Sequence, residues 1–362
     1  MALPDGSGNG VYVGSTRLGR REAEPMRLWK ILGAATAAET SFAATLLGLA
    51  SVAGRWNGWL DIIAQFAPFW FALALLGAAL ALAALDRGLP RTCILALAAA
   101  GAITNGALIA PDFAEGLWGA LAPTPKTASS LKVLTFNVWD RNIDPAGTVD
   151  LILRSDADVI ALQEVAGIAG APRKRLDAAY PYRAGCPGGC HVEILSRRPL
   201  RAAGSSVIGI GEQFLVVVWA ATTMSDGEAV TIATTHYGWP IPPQTQQAER
   251  RVLPGLLRRF NRRELILTGD FNLVPWSRAL AEQDAALYPL RRRTHALFTW
   301  PANVPVIDKP APFPVLAIDQ VYAGPLWRTL AVRRLARGGS DHYGVLVIMT
   351  RGGPASPAID WP

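Results

Sequence analysis

Between residues 31 and 110 the chain carries few charged side chains, and its apolar runs divide into three segments at about 31–53, 62–85 and 92–110. Each is close to the roughly 20 residues that cross a bilayer as a helix. A helix apolar on all sides has to bury itself in lipid or in a large core, so this stretch restricts the fold more than any other. A cleavable signal peptide is one short apolar run with a small-residue cleavage site, which three successive runs do not match. The pattern predicts three transmembrane helices over residues 29–110. Glu39, inside the first, is a charge expected to face another helix or to reach toward an end.

Orientation follows from the basic residues. Arg17, Arg20, Arg21, Arg27 and Lys30 precede the first span, only Arg55 lies in the next loop, and Arg87 and Arg91 lie in the one after. Cytoplasmic loops carry the excess of Lys and Arg, so the N-terminus is placed in the cytoplasm and everything after the third span on the other side. Trp29, Trp56, Trp59 and Trp70 fall at or near span ends, where amphipathic rings favour the interface. Three spans lack the paired inverted repeats expected of a transporter.

The remaining segments differ in composition. Residues 1–28, rich in Gly, Ser, Arg and Glu, read as a disordered cytoplasmic tail. Residues 111–130, with prolines and a Thr/Ser run, read as a linker, and residues 351–362 as a flexible tail. Residues 1–125 hold 8 basic and 8 acidic side chains, so the whole formal charge of +7 belongs to residues 126–362. A basic domain attracts an anionic substrate or phospholipid headgroups. Cys93 lies in the third span; Cys186 and Cys190 flank Pro187-Gly188-Gly189, a loop short enough to close as a disulfide in an exported domain.

From residue 131 to 350, short apolar runs of strand length alternate with amphipathic stretches. Strands are expected at Leu131 to Asn137, Val159 to Gln163, Val192 to Ser196, Phe214 to Thr223, Ala229 to His236, Leu265 to Thr268, Ala317 to Tyr322 and Tyr343 to Met349. Helices are expected at about 147–155, 172–180 and 244–260. Several runs end on polar motifs: Asn137, Gln163-Glu164, His236, Gly269-Asp270-Phe271-Asn272, Asp319, and Ser340-Asp341-His342. Polar groups just past apolar strands gather at one rim of a sheet.

Their chemistry fits phosphate esters. A hard divalent ion prefers carboxylates, waters and substrate oxygens, and it neutralises the phosphoryl oxygens and the leaving group. Glu164 is the main candidate ligand, with Asn137 assisting it or binding phosphate. Asp270 can take a proton from attacking water, while Asn272, two residues on along an extended backbone, orients that water or the phosphate. Of the four histidines, His236 and His342 sit beside other motifs. Asp319 is a carboxylate able to fix the tautomer of His342, whose imidazolium would stabilise charge on phosphorus. His191 and His295 read as structural.

In this order the motifs resemble the endonuclease/exonuclease/phosphatase superfamily, over about residues 131 to 350. The resemblance implies a four-layer α/β/β/α sandwich, here preceded by the three-helix transmembrane region, and a phosphoesterase dependent on Mg2+, or on Mn2+ in its place. It assigns Glu164, Asn137 and Asp341 to the metal side and His236 to phosphate or transition-state contact. Asp270 and Asn272 position water and phosphate, and Asp319 orients His342. Thr299-Trp300-Pro301 is similar to a segment of membrane-anchored bacterial members; with the three spans and their orientation, the expected location is the bacterial inner membrane, multi-pass, with an extracytoplasmic catalytic domain. Two departures weigh against DNA repair. Trp139 stands where many nucleases carry an acidic residue, with Asp140 one step further, and Glu193 stands where relatives have a small or amide residue. The expected substrate is a phosphodiester or phosphomonoester, of a lipid headgroup or of nucleic acid, with no protein partner. A catalytically silent membrane binding module is the alternative of a different class.

Overall fold

The computed structural model describes residues 18–121, 129–304 and 306–352. Residues 1–17 of the expected N-terminal tail, 122–128 of the expected linker, and the C-terminal tail from 353 lie outside the described residues.

Helices α1 (Leu18–Ala53), α3 (Ala67–Ala84) and α4 (Leu89–Leu121) contain three segments long and apolar enough to cross a membrane, Leu28–Ala53, Ala67–Ala84 and Leu89–Trp118. Within the helical unit, Met1–Leu49 with Phe69–Asn105, small residues mediate the packing. Ala37, Ala44, Ala74, Ala81 and Ala98 are buried, Gly101 meets Ala44, and Asn105 donates to the Ala44 carbonyl at 3.1 Å. Were these helices in lipid, where no hydrophobic drive brings helices together, such close backbone approach would supply the association.

Two boundaries differ from expectation. The tail is helical from Leu18, through the helix formers Arg20-Arg21-Glu22-Ala23-Glu24, although Gly19 and Pro25 lie within it. The linker is helical to Leu121 despite Pro111. Its next residues make tertiary contacts that offset the bond Pro111 cannot donate: Asp112 accepts from Ala296 N–H at 2.7 Å, and the Phe113 ring lies 6.5 Å from Trp276.

The second unit comprises Ala50–Pro68 and Gly106 onward. It includes α2 (Gly58–Ala64), a short helix capped by Asn57 that the sequence pattern does not reveal. Next come β1 (Leu131–Asn137), α5 (Pro145–Arg154), β2 (Val159–Gln163), α6 (Ala171–Ala179), β3 (Tyr182–Ala184), β4 (Val192–Ser196), β5 (Ala202–Ile210), β6 (Gln213–Thr223), β7 (Ala229–His236) and α7 (Pro243–Leu256). The chain continues through β8 (Ile266–Asp270), α8 (Arg278–Leu287), β9 (Arg291–Arg292), β10 (Asn303–Val304), β11 (Lys309–Pro310), β12 (Asp319–Ala323), β13 (Trp327–Arg334) and β14 (Val345–Arg351).

Among the described residues these strands build two six-stranded sheets, ordered β13-β14-β1-β2-β4-β3 and β5-β6-β7-β8-β12-β9, and a separate β10-β11 pair. Strand side chains alternate between faces, and the burial follows that period. Val133, Val159, Ile194, Val218, Ile232, Ile266 and Val321 pack between the sheets. Leu134, Phe136, Ile160 and Leu195 face outward onto Ile152 of α5 and Leu176 of α6, while Ala233 and Leu267 face Leu253 of α7 and Leu280 of α8. The result is the four-layer α/β/β/α sandwich.

The same alternation builds the site. Inward positions that are apolar at one end of the strands become Thr135 and Asn137 on β1, Gln163 on β2, Thr234 and His236 on β7, Thr268 and Asp270 on β8, and Asp319 on β12. Register aligns them, with Asn137 opposite Gln163, and Asp270 flanked by His236 and Asp319. Gln163 ties the sheets together, donating to Thr234 Oγ1 at 2.9 Å.

Candidate active site

Oδ2 of Asp270 is the hub of the cluster. It accepts from Asn137 Nδ2 at 3.1 Å and lies 3.6 Å from His236 Nε2 and 3.5 Å from His342 Nε2. Asn137 Nδ2 also donates to Glu164 Oε1 at 2.8 Å, and His236 Nε2 stands 3.8 Å from that oxygen. On the far side of His342, Nδ1 is 2.9 Å from Asp319 Oδ2. Gly269 lets β7 and β8 approach at this rim, since a Cβ there would overlap the Thr235 carbonyl oxygen. Glu164, Trp139 and Asn272 all adopt positive φ, a local strain that clusters at functional sites.

His342 and Asp341 come from the loop before β14, and side chains pin that loop. Ser340 Oγ donates to the Asn137 carbonyl at 2.7 Å and accepts from His342 N–H at 3.0 Å. Trp300 Nε1 donates to Asp341 Oδ2 at 3.0 Å. The Thr299-Trp300-Pro301 segment thereby joins the site, and Tyr343 N–H donates to the Thr299 carbonyl.

The ionisation states are set by burial and by one another. Burial raises the Asp270 carboxyl to about 7, with His342 opposing the rise. For His342 burial acts against charge, but Asp319 and Asp270 outweigh it and hold the ring protonated well above its ordinary range. Burial depresses His236, against the pull of Glu164. Glu164 resists its own burial and stays below the ordinary range through His236, Asn137 and the Asp140 N–H. Burial raises Asp341, against His342 and Trp300.

Two groups of ligand atoms are compatible with a cation. Asp270, Asp319 and His342 bring three within 4.8 Å of one another. His342 Nδ1 is already engaged by Asp319, however, and a hard ion prefers oxygen. The Glu164 and Asp341 side offers carboxylate oxygens alone, and Asp341 Oδ1, like Asp319 Oδ1, is buried without a hydrogen-bond partner. Asn137 differs from expectation. Its carboxamide oxygen accepts from Trp139 N–H at 2.9 Å, so it presents nitrogen to the carboxylates and fixes them.

Asn272 lies at the margin. Asp270 ends β8 and its Oδ1 accepts from Asn272 N–H at 2.9 Å, forming an Asx turn in place of an extended backbone, while Asn272 Nδ2 donates to the Tyr237 carbonyl. Glu193 points away from the site, paired at 2.6 Å with Arg173 of α6. His295 is structural as expected, its Nδ1 2.9 Å from Asp112 Oδ1.

Sequence reasoning missed His191. Its ring stands edge-on to His236 with centroids 5.4 Å apart, and burial together with His236 keeps it below its ordinary range. Cys186 and Cys190 are joined as a disulfide, so His191 directly follows a closed loop. That adjacency in the sequence is the signal that could have singled it out. Asp140 is a second omission, raised by burial and by Glu164.

Residues 134–342 match the Endonuclease/Exonuclease/phosphatase family, and the chain belongs to it. Members act on phosphodiester or phosphomonoester bonds and generally use divalent metals. Similar solved structures include TDP2 of D. rerio complexed with a single-strand DNA product, at 18% identity, covering 61% of this chain and 99% of that one with a TM-score of 0.50. A family member from Bacteroides vulgatus has 16% identity, coverage of 63% and 100%, and a TM-score of 0.50. One from Beutenbergia cavernae has 20% identity, coverage of 62% and 72%, and a TM-score of 0.49. At such identities the likeness concerns the fold alone. Comparison with the curated proteins gives no significant match.

Proposed function

We propose that this chain is a membrane-anchored, extracytoplasmic, magnesium-dependent hydrolase of phosphate esters, with residues 131–350 as its catalytic domain. The observation that carries the reading is the convergence of Asn137, His236 and His342 on one Asp270 oxygen, beside Glu164. Glu164 and Asp341 would hold the cation, which when bound neutralises phosphoryl charge and stabilises the leaving oxygen.

The chain's own groups divide the remaining work. Asp270, raised to about 7, accepts a proton from the attacking water. His342, kept protonated by Asp319, donates to the phosphoryl oxygen on which charge accumulates. His236, whose burial disfavours the charged ring against the pull of Glu164, donates one N–H to the phosphate. Asn137 keeps Glu164 and Asp270 apart and aligned, and Asn272 borders the water's approach.

Topology supports the anchored arrangement. Asp61, between the first and second spans, accepts from the Arg278 and Ala279 N–H groups at 2.7 and 2.9 Å, capping α8. Two further crossings, by the second and third spans, return the chain to the same side, as that contact requires. The basic N-terminal flank supports a cytoplasmic N-terminus, and the closed Cys186–Cys190 pair suits an oxidising compartment. Anchoring favours a lipid headgroup as substrate. Extracytoplasmic DNA or RNA is the second reading, favoured by the basic excess of the domain.

The test uses the full chain in detergent, because residues 50–68 and 106–121 belong to the catalytic unit. Bis(p-nitrophenyl) phosphate and the monoester are assayed with magnesium or EDTA beside His342→Ala. Magnesium-dependent turnover lost in the variant is expected. A folded chain inert with every divalent ion would leave the binding module.

A further inference from the structure

A cavity of about 380 Å³ opens beside the candidate site, and its walls change character from the inside outward. His191 and His236 close the inner end, while Phe214, Gly238 and Trp239 form the outer walls. Phe214 exposes 62% of its surface and Trp239 67%; Ile241, two residues further, exposes 59%. Clustered apolar side chains left this open next to a polar site mark a surface with an occupant.

The outer wall leads to the membrane-proximal segment. From Trp239 the chain runs through Ile241 into α7 at Pro243, and a methyl added at Gly58 of α2 would stand 3.1 Å from the Pro243 Cβ. α2 belongs to the short connection between the first two spans, so it sits where those spans leave the bilayer. Trp56 and Trp59, on either side of Gly58, expose 72% and 51%. Indole rings prefer that depth because one part is apolar and the N–H is wet.

We propose that this cavity takes the apolar-bearing part of an amphiphilic phosphate ester drawn from the bilayer, with its phosphate at the His191 and His236 end. The inference rests on the phosphoesterase reading above and names its substrate class. Water adds to phosphorus, one P–O ester bond breaks, and the departing oxygen takes up a proton. A diester then yields a phosphomonoester and an alcohol, with no redox change. His191, edge-on to His236 with ring centroids 5.4 Å apart, lines the cavity beside that ring and is the second imidazole available to the phosphate.

Nucleic acid fits the cavity less well, although Trp239 and Phe214 could stack a base. A polyanion needs Lys or Arg along its path. None lines the cavity among the described residues; Glu249 does, accepting from Gly238 N–H through both oxygens at 3.1 and 3.2 Å.

The experiment compares three substrates on the full chain in mixed micelles with magnesium: phosphatidylglycerol, bis(p-nitrophenyl) phosphate and a single-stranded oligonucleotide. Phe214→Ser and Trp239→Ser are tested alongside, both at exposed positions where folding is retained, which a melting curve checks. The expected result is lipid hydrolysis by the native chain. In each variant the ratio of lipid to soluble-ester turnover falls roughly tenfold, through the lipid KM more than kcat, as loss of one buried aromatic contact predicts. Soluble-ester turnover without lipid turnover, or variants that leave the ratio unchanged, overturns the proposal and spares the hydrolase reading. Oligonucleotide cleavage in place of lipid cleavage also overturns it. No turnover of any of the three overturns both.

Discussion

Asp319 Oδ2 and His342 Nδ1 lie 2.9 Å apart, each side chain almost wholly removed from solvent, one on β12 and the other on the loop that leads into β14 of the opposite sheet. The bond joins the two sheets at their functional rim and fixes which imidazole nitrogen faces the substrate. Asp319→Asn preserves shape but removes the charge that favours the imidazolium. Its kcat on bis(p-nitrophenyl) phosphate should fall about 10²-fold or more, in the range of a lost transition-state donor, with KM little changed. A KM increase with kcat intact would assign Asp319 to substrate binding.

Trp300 acts through Asp341 and so is a positioning residue. Its indole N–H holds Oδ2, leaving Oδ1 unpartnered. Trp300→Phe keeps the ring and loses the donor. Groups that orient a metal ligand typically alter affinity by roughly 10- to 100-fold, so the magnesium concentration for half-maximal rate should rise by about tenfold or more. Saturating magnesium should restore kcat. A variant with unchanged magnesium dependence would place the cation away from Asp341.

How far the sequence foretells this site depends on where each residue lies. Asn137, His236 and Asp270 end apolar strands, and a period of two puts them on the inward face without knowledge of the partner strands. The missed strands are edges or near-edges. β5 is rich in Gly and Ser and half-exposed, and β13 carries Arg328, Arg333 and Arg334 among its apolar positions, so neither shows a buried run. α8 begins at Ser277 but is also capped by Asp61, more than 200 residues earlier, a partner that local periodicity cannot reveal. His191 escaped because its ring is brought beside His236 only by tertiary packing, which the sequence pattern does not show. The expectation of an extended Asp270 to Asn272 segment failed because the Asp270 carboxylate bonds the Asn272 N–H and turns the chain.

The end of α4, from Gly106 on, is held within the second unit by charge. Arg292, nearly buried, lies 2.6 Å from Asp112 and 3.4 Å from Asp284, and Asp284 accepts from Tyr322 O–H at 2.6 Å. Removing one partner leaves a buried cation short of compensation, which typically costs about 3–5 kcal/mol. Asp112→Ala should lower the melting temperature of the full chain and expose residues near Leu121 to protease. The exposed pair Arg175–Asp150 offers a comparison, since Asp150→Ala should cost less than about 1 kcal/mol. Equal effects from the two variants would show that α4 is held by packing on Trp276 and Phe298 alone.

Glu249 gives the stability of the chain a pH dependence of defined sign. Burial raises its carboxyl from 4.5 to about 7, although the Gly238 N–H opposes the shift. Between those values the folded state binds a proton that the unfolded chain releases. Its contribution is therefore fully present below about pH 4.5 and is lost as pH rises toward 7. At 1.36 kcal/mol per unit the swing is on the order of 3 kcal/mol at most. Glu249→Gln mimics the protonated form and should flatten that part of the profile, raising the melting temperature at pH 8 relative to the native chain while matching it at pH 5. Because Glu249 anchors Gly238 at the cavity wall, hydrogen exchange of the Tyr237 to Pro243 segment should slow in the variant at pH 8. An identical pH profile in the two proteins would mean that Glu249 keeps its charge in the fold, with Gly238 N–H and water compensating it.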